Sequence, residues 1–202
     1  MEEIEHRLVN VGALKLHIAE IGTELSPPDF RGYGLSDSPP QPEKTNFSHL
    51  LHDLLAILDA LSLSKVFIVG KDFGSSHAYL FSILHPEMVL GVITLGVPYV
   101  PPHPALYHKL LPEGFYILRW RSFGEDFNLP DPVVKVPALL IMGGKDYVFK
   151  FPGIEDLTKG EKAKEFVPNL EITFIPEGTH FVQEQFPEQV NQLILAFLAK
   201  HV

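Results

Sequence analysis

The chain has 202 residues, 46% hydrophobic and 20% charged, which is the make-up of one globular domain (1–202) with a sizeable core rather than a disordered chain. A net charge of −9 argues against nucleic acid or an anionic membrane surface as partner. Without cysteine, neither a disulfide framework nor a thiolate metal site can form. The acidic start Met1–Glu5 is unlike a signal or transit peptide, no apolar run approaches the ~20 residues of a membrane span, and Ala199–Val202 carries no targeting address. The expected setting is the cytoplasm.

Residues 7–11 and 14–21 alternate apolar and polar and predict a hairpin. A helix is expected from Phe47 to Leu61, capped by Thr45 or Asn46, with Leu50, Leu51, Leu54, Leu55 and Leu58 facing inward. A strand at 66–70 precedes a helix from Ser76 to Leu84, which His85-Pro86-Glu87 stops. A strand at Val92–Val97 leads into a Pro-rich loop (98–104) and a weakly patterned stretch (105–132). Ala138–Met142 is a buried strand that ends at Gly143-Gly144-Lys145-Asp146. A polar helix at 153–166, a strand from Glu171 to Ile175 and a final helix from Pro187 to Lys200 complete the chain. Strands alternating with helices predict an α/β fold, with a mainly parallel sheet covered by helices on both faces.

Where the strand 66–70 stops, the chain reads Gly70-Lys71-Asp72-Phe73-Gly74. An apolar strand, a Gly-x-Asp-x-Gly turn and a helix are the layout of a nucleophile elbow, with Asp where an esterase carries Ser. Small residues at 70 and 74 are expected because a side chain at either would collide across the sharp turn. A carboxylate suits attack on saturated carbon, as in an epoxide or alkyl halide, and forms an alkyl ester. The same pattern also occurs where a strand ends in an Asx turn. Asp146 and His180 follow later strands, so Asp72, Asp146 and His180 stand in the order nucleophile, acid, histidine. In a parallel sheet the carboxyl ends of strands share one edge, where such residues can converge as a catalytic triad. His180 would activate water and Asp146 would orient the imidazole.

Four stretches carry a family resemblance: Asp29-Phe30-Arg31-Gly32-Tyr33-Gly34-Leu35-Ser36-Asp37; Gly70–Gly74; Met142-Gly143-Gly144-Lys145-Asp146-Tyr147-Val148; and Gly178-Thr179-His180-Phe181-Val182. With them the chain resembles the soluble epoxide hydrolases of the α/β-hydrolase superfamily, closest to the plant type. The resemblance implies hydrolysis of an epoxide to a vicinal diol through an ester on Asp72, with water as co-substrate and no cofactor. It implies an oxyanion donor at the Phe73 N–H, and Tyr116, in Pro112–Ile117, as proton donor to the leaving oxygen; Tyr116 could equally be a packing residue. A second such tyrosine has no match. Lys71 and Phe73 depart from the family's usual His and Trp on either side of the nucleophile. No metal is implied: His49 and His52 lie three apart on the predicted helix, but without a third ligand they read as a solvated face.

Two pieces of the family pattern are missing. Only Thr23–Pro28 stands where the family has a strand, an oxyanion loop and a further strand, and residues 99–136 are a remnant of the cap. The expected sheet therefore lacks one to two central strands and most of the cap, and either the hairpin pairs directly with the strand 66–70 or the sheet splits. Loss of half the oxyanion hole is expected to slow hydrolysis of the ester more than its formation, because displacement at saturated carbon develops no oxyanion on Asp72. Exposed edges make a homodimer an expectation. The alternatives are a shortened, inactive variant acting as a binding or regulatory protein, and a related activity such as haloalkane dehalogenation.

Overall fold

The computed structural model describes residues 3–21, 26–42, 45–101, 129, 131–159 and 162–202. The hairpin comes first: β1 (Ile4–Val11) and β2 (Leu14–Ile21) pair antiparallel from Ile4 opposite Ile21 to Val11 opposite Leu14. Gly12, at φ +58°, turns the chain between them. Alternation puts Val9, Leu16 and Ile18 on one face, where they bury against Ile57 of α1 (Phe47–Ala60). Asn46 caps that helix, accepting from the His49 N–H at 3.1 Å while its own N–H donates to His49 Nδ1 at 3.3 Å. His49 is thus a capping partner. The inner face differs from the leucine pattern: Phe47, Leu50, Leu51, Asp53 and Ile57 are buried, and Leu54, Leu55 and Leu58 only partly so.

Asp53 turns inward because Arg31 meets it, with Nε at 2.6 Å and Nη2 at 2.5 Å from its two oxygens. The Asp-x-Arg-Gly-x-Gly motif has a second structural task. The loop that carries it runs along the free edge of β2: Ala19 N–H donates to Pro27 O, Asp29 N–H to His17 O, and Asp37 N–H to Lys15 O. In return Lys15 N–H donates to the Asp37 carboxylate and His17 N–H to Ser36 Oγ, each at 2.8 Å. The edge is satisfied by this loop, without another strand. Gly34 (φ +53°) is obligatory there, since a Cβ would stand 2.0 Å from the Asp29 carboxylate.

The described residues divide into two compact units, this first one up to Ser64 and a second from Lys65 onward. The second unit is a parallel sheet in the order β3 (Val66–Lys71), β4 (Val89–Leu95), β5 (Ala138–Gly143), β6 (Leu170–Ile175). Among the described residues the hairpin and this sheet are separate, so the expected sheet is divided. β5 is buried along its whole length, as the apolar run Ala-Leu-Leu-Ile-Met requires of a strand covered on both faces. On one face Ile93, Leu95, Leu139 and Ile141 pack with Val190 and Phe197. Those two belong to the last helix, Pro187–His201. Residues of opposite parity face α2 (Phe73–Leu84), whose buried Tyr79 hydroxyl meets Thr94 Oγ1 at 2.7 Å. The expected polar helix at 153–166 is two short ones, α3 (Ile154–Lys159) and α4 (Lys162–Phe166). A one-turn α5 (Val182–Gln185) precedes the last helix, α6 (Pro187–His201). Among the described residues no helix is long and apolar enough to cross a membrane.

The Arg31–Asp53 pair generates a stability prediction. Arg31→Met strands a buried carboxylate and is expected to cost about 3 kcal/mol in urea unfolding. Arg31→Met/Asp53→Leu, which removes both charges, is expected to recover most of that loss.

Candidate active site

α2 starts at Phe73, three residues earlier than the sequence suggests, because the chain turns sharply after β3. A Cβ on Gly70 would stand 2.4 Å from the Gly74 carbonyl oxygen, so only glycine lets the helix cross that close. A Cβ on Gly74 would meet nothing within 4 Å. The expected collision there is absent, since the close approach is made by the Gly74 carbonyl and not by its Cα. Between them Asp72 is held at φ +51°, ψ −117°, a left-handed φ that a non-glycine residue adopts at a cost of about 1–3 kcal/mol. Its N–H donates to Leu95 O at 3.1 Å and its carbonyl accepts from Ser75 N–H at 3.0 Å. The Ser75 hydroxyl ties the turn to Gly70 O at 3.1 Å. The carboxylate is thereby lifted clear of the sheet edge, half exposed, and accepts a hydrogen bond from the Phe73 N–H.

Asp146 and His180 arrive on two loops that cross. Lys145 N–H donates to Gly178 O and Gly144 N–H to Ile175 O. A Cβ on Gly143 would lie 2.2 Å from Thr179 O, which is why a glycine motif precedes each of the two residues. Gln185 Oε1 accepts from the Thr179 N–H at 2.8 Å and anchors the second loop. The outcome is a closed constellation. His180 Nε2 is 2.5 Å from Asp72 Oδ2, and its Nδ1 is 3.0 Å from both Asp146 oxygens. Asp146, only 4% exposed, also accepts from the Val148 N–H at 2.9 Å. The structure brings together all three residues placed by the sequence, with Phe73 beside them. Tyr116, like Trp120, His103, His108 and most of 99–136, lies outside the described residues.

The electrostatics follow from this geometry. Burial of His180 disfavours its cation, but the hydrogen bonds it donates to Asp146 and then Asp72 outweigh that and push its pKa up to about 9. The hydrogen bond from His180 holds the Asp72 carboxyl below its ordinary value, against the opposing effect of burial. At neutral pH the resting site is an imidazolium between two carboxylates. Three neighbours were not legible as site residues. The Tyr147 ring lies 4.7 Å from the His180 ring and Phe181 packs edge-on at 5.5 Å. Gly96, at φ +78°, leaves the space that the His180 ring fills: a Cβ there would stand 2.9 Å from Cε1. A glycine directly after an apolar strand in a parallel sheet is the signal that could have marked it.

The family pattern described as "alpha/beta hydrolase fold" matches residues 17–112. A crystal structure of an epoxide hydrolase from Vigna radiata superposes with a TM-score of 0.83 at 23% identity, over 99% of each chain. This chain has the α/β-hydrolase fold. Its curated relatives include Epoxide hydrolase 2 of Siraitia grosvenorii, 23% identical over 315 residues and covering 99% of this chain and 100% of the relative. Epoxide hydrolase 3 of Xenopus tropicalis is 35% identical over 234 residues, 84% of this chain and 62% of that protein. An alignment of 315 residues against a chain of 202 closes only with gaps in this chain, which is shorter than those relatives.

The charged triad should be visible in stability. His180 binds its proton more tightly folded than unfolded, so its contribution is complete below pH 6.5 and is lost as pH rises through about 9. Asp72, with its lowered value, contributes above pH 3.8 and is lost only in stronger acid. The difference in Tm between wild type and His180→Asn is therefore expected to be largest below pH 6.5 and to shrink as pH rises from there to about 9, in thermal melts.

Proposed function

We propose that this α/β-hydrolase adds water to epoxides, giving vicinal diols, with Asp72 as nucleophile. The observation that carries the reading is the His180 ring bridging a carboxylate at an elbow and a buried carboxylate behind it. The relatives named epoxide hydrolases point to the same substrate class. Asp72 attacks a ring carbon, a C–O ester bond forms, and the ring C–O bond breaks with its electron pair on oxygen. That oxygen takes a proton, for which Tyr116 is the proposed donor, since an alkoxide leaves poorly without one.

Esterification itself prepares the second step. Asp72 loses its charge, so one of the two groups that hold His180 protonated is gone and the imidazole can release its proton to solvent, from which Tyr116 regains the one it gave. Neutral His180 then takes a proton from water as the water oxygen adds to the Asp72 carboxyl carbon. Asp146 stabilises the imidazolium, and Phe73 N–H donates to the oxyanion. Collapse expels the diol oxygen, which takes a proton from His180; the Asp72 carboxyl then gives its remaining proton to the imidazole, so that carboxylate and imidazolium are both restored. The chain has no counterpart of the family's loop between Gly22 and Asp29, which would supply a second oxyanion donor, a loss that typically costs about 10²–10³ in rate. Alkylation should therefore outrun hydrolysis.

The reading extends to a cytoplasmic setting and a homodimer. β3 stands at the end of the strand order among the described residues, with Val69 half exposed, and supports an edge contact. A monomer at all concentrations in sedimentation would remove the dimer.

The deciding experiment is diol formation from an aryl epoxide. Asp72→Asn is expected to lose at least about 10³-fold in rate. His180→Asn is expected to stall at the ester, seen by intact mass spectrometry as a protein heavier by one epoxide. Equal diol yields from wild type and Asp72→Asn would overturn the nucleophile and favour a binding protein.

A further inference from the structure

Lys71 immediately precedes the nucleophile, and its chemistry is used in no step above. Its ammonium is buried with no hydrogen-bond partner among the described residues, an arrangement a folded chain tolerates only at a cost. What surrounds it is the catalytic centre. Its Nζ lies 5.0 Å from the centre of the Phe181 ring, a cation–π contact. The position that a Cβ on Gly96 would occupy is 3.3 Å from Lys71 Nζ and 2.9 Å from His180 Cε1. Ammonium and imidazole thus border the same small space, which Gly96 keeps free of a side chain.

We propose that Lys71 is a positioning residue for hydrolysis of the ester, its ammonium biasing His180 toward the neutral imidazole that activates water. This rests on the epoxide reading above. The charges that face His180 are Asp72 at the end of β3, Asp146 after β5 and Lys71 itself, and the Tyr147 ring lies against it. Those that face Lys71 are Asp72, Asp146 and, from α5, Glu184. With two carboxylates and no cation, His180 would hold its proton more firmly and serve as a poorer base. Lys71 opposes them: its charge lowers the proton affinity of His180. Burial lowers the proton affinity of Lys71 in turn, and the three carboxylates work against that. After Asp72 is esterified, Asp146 and Glu184 remain to hold the ammonium. The imidazole then keeps one carboxylate partner against one cation, the balance that favours release of its proton.

The test compares wild type, Lys71→Met and Lys71→Arg in single turnovers of an aryl epoxide across pH, following ester formation and decay by quenched mass spectrometry. Ester decay should rise with pH as His180 becomes neutral. In Lys71→Met the rise is expected about one pH unit higher, which makes decay roughly tenfold slower below it, while ester formation changes little. Lys71→Arg, which keeps the charge, should follow wild type. A Lys71→Met profile that superposes on wild type, or a Lys71→Arg profile displaced like Lys71→Met, overturns the proposal. NMR titration of His180 in the three resting proteins reads the same coupling without turnover, and Lys71→Met is expected to titrate at higher pH. If wild type forms no ester, the epoxide reading falls and this titration alone judges the coupling; an unmoved His180 then overturns it. Lys71→Met is also expected to melt at a higher temperature, because it removes a buried unpartnered charge, whereas a merely packing lysine would give a lower Tm with no change in pH profile.

Discussion

The constraint on which the rest depends is the passage of the Gly74 carbonyl over Gly70, close enough that no side chain fits between them. That approach turns a strand into a helix within two residues and leaves Asp72 at positive φ. A relaxed turn would spread β3 from α2 and carry the carboxylate away from His180. The strain is held by bonds on both sides of Asp72, its N–H to Leu95 and its carbonyl from Ser75. Since α2 is itself locked to the sheet through buried Tyr79 and Thr94, the local cost of about 1–3 kcal/mol is spread over a packed core. The site is the place where this core is least relaxed, as expected where geometry is set by function.

The second dependency is electrical. One imidazole between two carboxylates is a stable resting state for a nucleophile that must be anionic, because the imidazolium holds Asp72 ionised. The same arrangement is poor for a base, because a histidine with a pKa near 9 keeps its proton at neutral pH. The conflict resolves if the nucleophile loses its charge in the first step. Covalent chemistry at Asp72 then changes the protonation of the histidine hydrogen-bonded to it. A serine at the elbow would leave a single carboxylate facing the ring. The identity of the nucleophile thus determines how the base is tuned.

Much of this was legible in the sequence, and the reasons differ by residue. Asp72, Asp146 and His180 could be read because each follows an apolar strand, and parallel strands deliver their carboxyl ends to one edge. Asn46 could be read as a cap, but not its partner, since His49 fills a position where Glu or Gln is usual. The inner face of α1 follows its leucine spacing only at Leu50 and Leu51, because Arg31, whose fork makes Asp53 a buried residue, comes from a distant loop. Lys71, Tyr147 and Gly96 escaped because their meaning lies in contacts between loops distant in sequence. From sequence, the two glycines flanking the turn look equivalent, and only the direction of the Gly74 carbonyl shows that Gly70 alone is required by close approach.

The short chain raises the question of how a divided sheet satisfies its backbone. In the first unit the answer is the Asp29–Asp37 loop, which supplies the donors and acceptors that β2 would otherwise take from a neighbouring strand. The Asp29–Asp37 motif therefore acts as an edge cover here, and its conformation depends on Gly34 leaving room for Asp29. In the second unit the central strands β4 and β5 are fully flanked, and the triad stands at the ends of β3, β5 and β6. Every residue of the charged constellation, with Phe73 and Lys71, belongs to this unit. On the proposed reading the shortening costs a donor to the oxyanion, needed only when the ester is hydrolysed. The geometry of attack can thus survive intact while turnover bears the whole penalty.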